Sequence, residues 1–140
     1  MRKSKSFTVH KIDNKTNVLN MIGNNQKDYN SIPVEILEYV NIIAYVYNKY
    51  LNTSAFNICK FPNISTYFTI MCKLIVNAIK KIQEKAIKND NVNQIISNAA
   101  KTLVLLYYQN TSEEIRSTDE AKLDIKELYN LLSESQRGNL

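Results

Sequence analysis

With 140 residues, 44% of them hydrophobic, and a net charge of +5, the chain has room for one domain with a continuous core. Two glycines and two prolines are too few for the frequent turns of a many-stranded β fold, so the composition favours long helices with few connections. No run approaches about 18 consecutive apolar residues, and no apolar stretch follows the charged N-terminus, so neither a bilayer-spanning helix nor a secretory signal is expected.

Residues 1–31 form the first segment, polar and basic, read as an extended arm with almost no core. The first 30 residues carry Arg2, Lys3, Lys5, Lys11, Lys15 and Lys27 against Asp13 and Asp28, a balance of 6 − 2 = +4. Val18-Leu19-Asn20-Met21-Ile22 can form one or two helical turns, and Gly23-Asn24-Asn25 breaks them. Alone, such a segment buries too little apolar surface to offset its ordering entropy and is expected to be mobile.

Residues 32–140 are read as a helical bundle of four long elements. The first spans 33–51, with Pro33 at the first helical position and Ile36, Leu37, Val40, Ile43, Ala44, Tyr47 and Leu51 on one face. The second spans 63–88, with Asn63 as N-cap and a stripe from Ile64 through Phe68, Met71, Ile75, Ile79 and Ile82 to Ala86. Its polar side is basic: at 100° per residue, Lys73, Lys80, Lys81, Lys85 and Lys88 fall within an arc of about 140° that contains one acid, Glu84. The third spans 91–109, capped by Asp90 or Asn91, with Val92, Ile95, Ile96, Ala99, Ala100, Leu103, Leu106 and Tyr107 inward. Val104, Leu105 and Tyr108 lie off that stripe, which points to burial by another subunit or by lipid. The fourth spans 118–136, opened by a Ser117/Glu120 capping box and carrying Ala121, Ile125, Leu128 and Leu132 on its apolar face.

Charge is segregated along the chain. Residues 39–88 hold seven lysines and one acid, and residues 111–134 hold seven acids and three bases. Basic groups on a tether, and a lysine face without acids at i±4, suit a polyanion backbone: each neutralised phosphate releases counterions, so binding is salt-sensitive and independent of sequence. The bland alternatives are a solvated tail and a solvated helix face. Lysine far outnumbers arginine, which favours point contacts to phosphate over bidentate reading of bases. The tyrosines recur at helical spacings and are read as core or interface residues rather than as stacking platforms for bases.

No catalytic constellation is present. The sequence has no GxSxG, P-loop, GxGxxG or HExxH pattern, and its single histidine, His10, sits in the arm. The chain is read as a non-enzyme with no cofactor, no small-molecule substrate and no metal. Cys59 and Cys72 are read as free thiols. The four N-x-S/T triplets are chance products of an Asn- and Thr-rich chain.

The basic segment Met1–Ser31, the helix opened by Pro33, the compact helical body and the Ile/Tyr/Asn/Lys bias together resemble the major coat (capsid) proteins of filamentous archaeal viruses, the lipothrixvirus and rudivirus group. The resemblance is one of architecture and composition over the whole chain; abundant Asn departs from what a hot-spring host implies. It implies a structural virion protein, found in the virion and in the host cytoplasm during assembly. Such a protein packages double-stranded DNA non-specifically in a helical filament, pairs with itself or a related coat subunit, and in enveloped members lies under lipid. Carried onto this chain, Arg2, Lys3, Lys5, Lys11, Lys15 and Lys27 become arm contacts to phosphate. Lys73, Lys80, Lys81, Lys85 and Lys88 become groove-lining contacts, and the acidic fourth helix faces away from DNA. The rival reading is a viral helical-bundle interaction protein that binds a host apoptotic or signalling protein through an apolar groove, without nucleic-acid affinity.

Overall fold

The computed structural model describes residues 14–51, 64–109 and 119–137, and within them every regular element is helical. In chain order these are α1 (Asn14–Met21), α2 (Gln26–Asn30), α3 (Val34–Val46) continued by a π-helical turn over Tyr47–Leu51, α4 (Ile64–Glu84), α5 (Asp90–Gln109), α6 (Asp119–Leu131) and α7 (Glu134–Arg137). The four long segments expected from periodicity are helical, the fourth as two helices. Arg2, Lys3, Lys5, Lys11, His10, Cys59, Asn63 and the Ser117 cap lie outside the described residues.

The polar N-terminal segment differs most from expectation. Instead of ending at residue 31, any arm ends before Asn14, because α1 packs across α3 and contributes Val18, Met21 and Ile22 to the core. Three apolar residues in two turns have little pattern of their own; tertiary packing makes this helix. Its end has a local cause. Gly23 takes φ +76°, and the Asn24 N–H donates to the Leu19 carbonyl at 2.7 Å, the long bond of a Schellman cap. A Cβ at Gly23 would meet nothing within 4 Å, so the conformation and not lack of room calls for glycine. Asn25 then caps α2, its Oδ1 accepting the N–H groups of Lys27 and Asp28 at 3.0 and 3.2 Å.

Pro33 is the cap residue of α3 (φ −60°, ψ 139°), one position earlier than its expected place inside the helix. Helix α3 lies at the centre, touching α1, α4 and α5, and buries Ile36, Val40, Ile43, Ala44, Tyr45 and Val46. At its end Asn48 Nδ2 donates to the Ala44 carbonyl at 2.8 Å and to the Asn17 carbonyl of α1 at 3.0 Å. That side chain fastens α1 to α3 where the helix widens into its π turn.

Helix α4 stops at Glu84, earlier than the expected end at 88. Lys85 and Ala86 N–H groups bond the carbonyls of Ile82 and Gln83, and Ala86 turns to φ +54°. Ala86, expected on the core stripe, is therefore exposed. Asn89 caps α5 in place of Asp90 or Asn91: its Oδ1 accepts from the Asn91 and Val92 N–H groups at 3.0 and 3.1 Å, and its Nδ2 donates to the Ser31 carbonyl at 3.1 Å. The single fourth helix expected over 118–136 is two, because a second capping box interrupts it. The Gln136 N–H donates to Ser133 Oγ at 3.3 Å, and the Ser133 N–H donates to Gln136 Oε1 at 2.8 Å. Gln136, almost fully buried, also donates to Asn93 Oδ1 at 3.2 Å and so ties α7 to α5.

Candidate functional site

The lysine face of α4 and the acidic helix, expected to lie apart, lie side by side. Helix α6 packs along α4. Lys73 Nζ sits 3.1 Å from Asp124 Oδ1 and 3.5 Å from Glu120 Oε2, and Lys80 pairs with Glu127. Lys81 is 3.9 Å from Glu84 within its own helix. The acids missing at i±4 on α4 are supplied by another helix, and this is why the lysine run looked uncompensated in sequence. Lys85 and Lys88, in the connection after α4, are exposed and have no ion pair among the described residues. Lys15 on α1 lies 5.4 Å from the centre of the Tyr29 ring, and Lys27 is exposed on α2. Of the described lysines expected to contact phosphate, Lys73, Lys80 and Lys81 are therefore held by acids, and among the described residues Lys15, Lys27, Lys85 and Lys88 are not.

Asp124 is the buried member of this contact, 5% exposed, with Oδ2 lacking a hydrogen-bond partner. Burial holds its carboxyl above the ordinary value of 3.8, against the opposing pull of the Lys73 hydrogen bond. The same bond pushes Lys73 up from 10.5, but Lys73 is half exposed, so Asp124 sets the balance of the pair. An acid with a raised folded value binds its proton more tightly folded than unfolded. Its charge thus lowers stability as pH rises from 3.8 through the folded value. Asp124→Asn, which keeps an oxygen for Lys73, is expected to melt about 3 °C above the parent at pH 7, with the gap closing below pH 3.8. Thermal melts of both proteins across that range check the sign.

The sides of α6 carry opposite charges. At 100° per residue, Glu120, Asp124 and Glu127 span about 60°, while Lys122 and Lys126 project from the other side. With the acids turned to α4, these lysines stand beside Lys101 of α5, along a groove of about 700 Å³ between α5 and α6. Val104, Leu105, Tyr107, Tyr108, Ile125 and Tyr129 form its apolar wall, and among the described residues no acid lines it. Tyr107 is buried and packs edge-on against Tyr108, ring centres 4.8 Å apart. Arg137 holds Tyr129 from the far side, its guanidinium 4.8 Å from the ring centre and its Nε–H donated to the Tyr129 carbonyl at 3.1 Å. Leu123, 65% exposed, lies outside the groove, in a shallower depression on α6 with Lys126, Glu127, Asn130 and Leu131.

Lys101, Lys122 and Lys126 did not figure among the expected binding residues: a count over 111–134 hides Lys122 and Lys126 under an acidic total, and Lys101 is the lone basic residue of its helix. Their signal was present in the four-residue spacing of Lys122 and Lys126, out of phase with the acids. Among the other tyrosines Tyr45 is buried and Tyr39, Tyr47 and Tyr50 are half-buried against the core, as expected, while Tyr108 and Tyr129 are exposed and the side chain of Tyr67 lies outside the described residues. Cys72 is a buried free cysteine whose thiol burial pushes up, away from reactivity. Among the described residues no group of three or more metal-binding side chains comes together, and no helix is long and apolar enough to cross a membrane. Comparison with protein families, with characterised proteins and with solved structures finds no match to this chain.

Proposed function

We propose that this protein acts by binding rather than by catalysis, as a helical-bundle interaction protein that docks another protein on the face formed by α5 and α6. One observation carries the reading. Among the described residues six large hydrophobic side chains are exposed, and three of them, Leu105, Tyr108 and Tyr129, line this one groove. Scattered apolar residues are ordinary on a surface, whereas a contiguous set beside a groove marks a contact site. Aromatic residues backed by a buried core are also the usual anchors of protein interfaces. The test places a photo-crosslinking amino acid at Tyr108, and separately at Val34, an exposed residue on α3, in the full chain within the cell that makes it. A discrete protein adduct from position 108 and none from 34 is the expected result; no adduct, or an adduct to nucleic acid, overturns it.

A second reading keeps the coat-protein resemblance: a four-helix bundle with a basic arm over residues 1–13, packaging double-stranded DNA in a filament. Its support is narrower than the sequence implied. It rests on the basic N-terminal residues and on Lys85 and Lys88, since Lys73 and Lys80 are engaged by α6. It predicts that duplex DNA binds at low salt with log affinity falling linearly in log salt. Lys85→Ala/Lys88→Ala would then lower that slope by about 1.8, one phosphate for each lysine. Absence of binding at low salt removes this reading.

A further inference from the structure

We propose that the α5–α6 groove takes an acidic amphipathic helix from another protein, a proposal that rests on reading this groove as the docking surface. The placement of charge carries it. Helix α6 is acidic in sequence, yet Glu120, Asp124 and Glu127 are spent on the lysines of α4. What α6 presents to the groove is Lys122 and Lys126, joined by Lys101 from α5, with no carboxylate among the described lining residues. A net-acidic helix thus builds a basic rim around an apolar wall. A ligand that fills the wall with aliphatic side chains and presents carboxylates at both edges satisfies the three lysines at once.

The dimensions suit a helix. Lys122 to Asn130 on α6 is about 12 Å of axial rise, enough for two to three turns of a docked helix with anchors at i, i+3 or i+4, and i+7. Nucleic acid fits less well. The exposed Tyr108 and Tyr129 rings offer faces for stacking, but three lysines neutralise few phosphates, and Val104, Leu105 and Ile125 between the rings suit aliphatic anchors instead. The exposed Glu35 and Glu38 of α3 would let a second copy supply the acids, so self-association is an outcome the experiment separates.

The test pans a displayed library of amphipathic helices, with aliphatic anchors fixed and flanking positions randomised, against the full chain and against Lys122→Glu/Lys126→Glu. Both lysines are exposed and without an ion pair among the described residues, so the double variant is expected to keep the helical circular dichroism and melting temperature of the parent. The parent is expected to enrich flanks in Glu and Asp. A recovered peptide is then expected to bind the double variant about tenfold more weakly by fluorescence anisotropy. Flanks of the same composition on both proteins overturn the acidic partner while leaving the groove as a docking surface. No enrichment on either protein overturns both. Displacement of the peptide by an oligonucleotide, lost in the double variant, reassigns the groove to nucleic acid. A dimer of the full chain in sedimentation that the double variant abolishes reassigns it to a second copy.

Discussion

Phe68→Ala lowers the free energy of unfolding by about 3–5 kcal/mol, a large part of the whole for a domain of this size. Phe68 is fully buried on α4, and its ring lies 6.0 Å from that of Tyr107 on α5. Truncation removes the transfer free energy of the ring and leaves a space that two long helices cannot close by small shifts. Urea unfolding measures the effect as a lower midpoint at unchanged slope, and Phe68→Leu, which refills most of the volume, is expected to lose about 1 kcal/mol. The loss also reaches the surface. Tyr107 is held between Phe68 and Tyr108, so loosening it frees Tyr108, which is 62% exposed on the groove wall. A stability loss without any change at the groove would mean that the wall is ordered by α6 alone.

Val18→Asp separates α1 from the body. Val18 is fully buried between α1 and α3, and a carboxylate there has no partner to accept it. The penalty, about 3 kcal/mol or more, exceeds what a two-turn helix with three buried side chains gains by docking, so α1 is expected to leave before the bundle unfolds. Amide hydrogen exchange resolves the two events. Protection disappears over residues 14–24 and from the turn fastened by Asn48, while α4 and α5 keep theirs. Unchanged exchange over residues 14–24 would mean that α1 contributes nothing to the core and that the whole N-terminal segment is tail.

These two residues mark how far the fold was legible in the sequence. Phe68 sat on an apolar stripe of helical period, and the stripes of α4 and α5 are long enough that periodicity alone placed their inner faces. Val18 sat in a run of five residues with too few repeats to show a period, and only the surface of α3 makes it a core position. The helix ends were legible where a residue type carried the conformation, as at Gly23. They were hidden where it did not: nothing about Ala86 announces a left-handed turn, and Ser133-x-x-Gln136 uses the amide form of a capping box inside what reads as one continuous helix. The candidate site was the least legible part. Ion pairing between α4 and α6 joins residues about 50 positions apart, and single-helix patterns see only neighbours at i±3 and i±4. A lysine run therefore read as free, and an acidic helix read as acidic on every side.

The alanine at position 86 has a consequence for how this chain can change over generations. A left-handed conformation costs a residue with a Cβ about 1–2 kcal/mol relative to glycine, and Ala86 adopts it in an exposed connection, away from the groove and from the ion pairs of α6. The codons for alanine and glycine differ by one base. One substitution there can return stability without altering the groove or the ion pairs of α6, so the connection between α4 and α5 is a place where the chain can compensate for destabilising drift elsewhere, including drift that reshapes the groove itself.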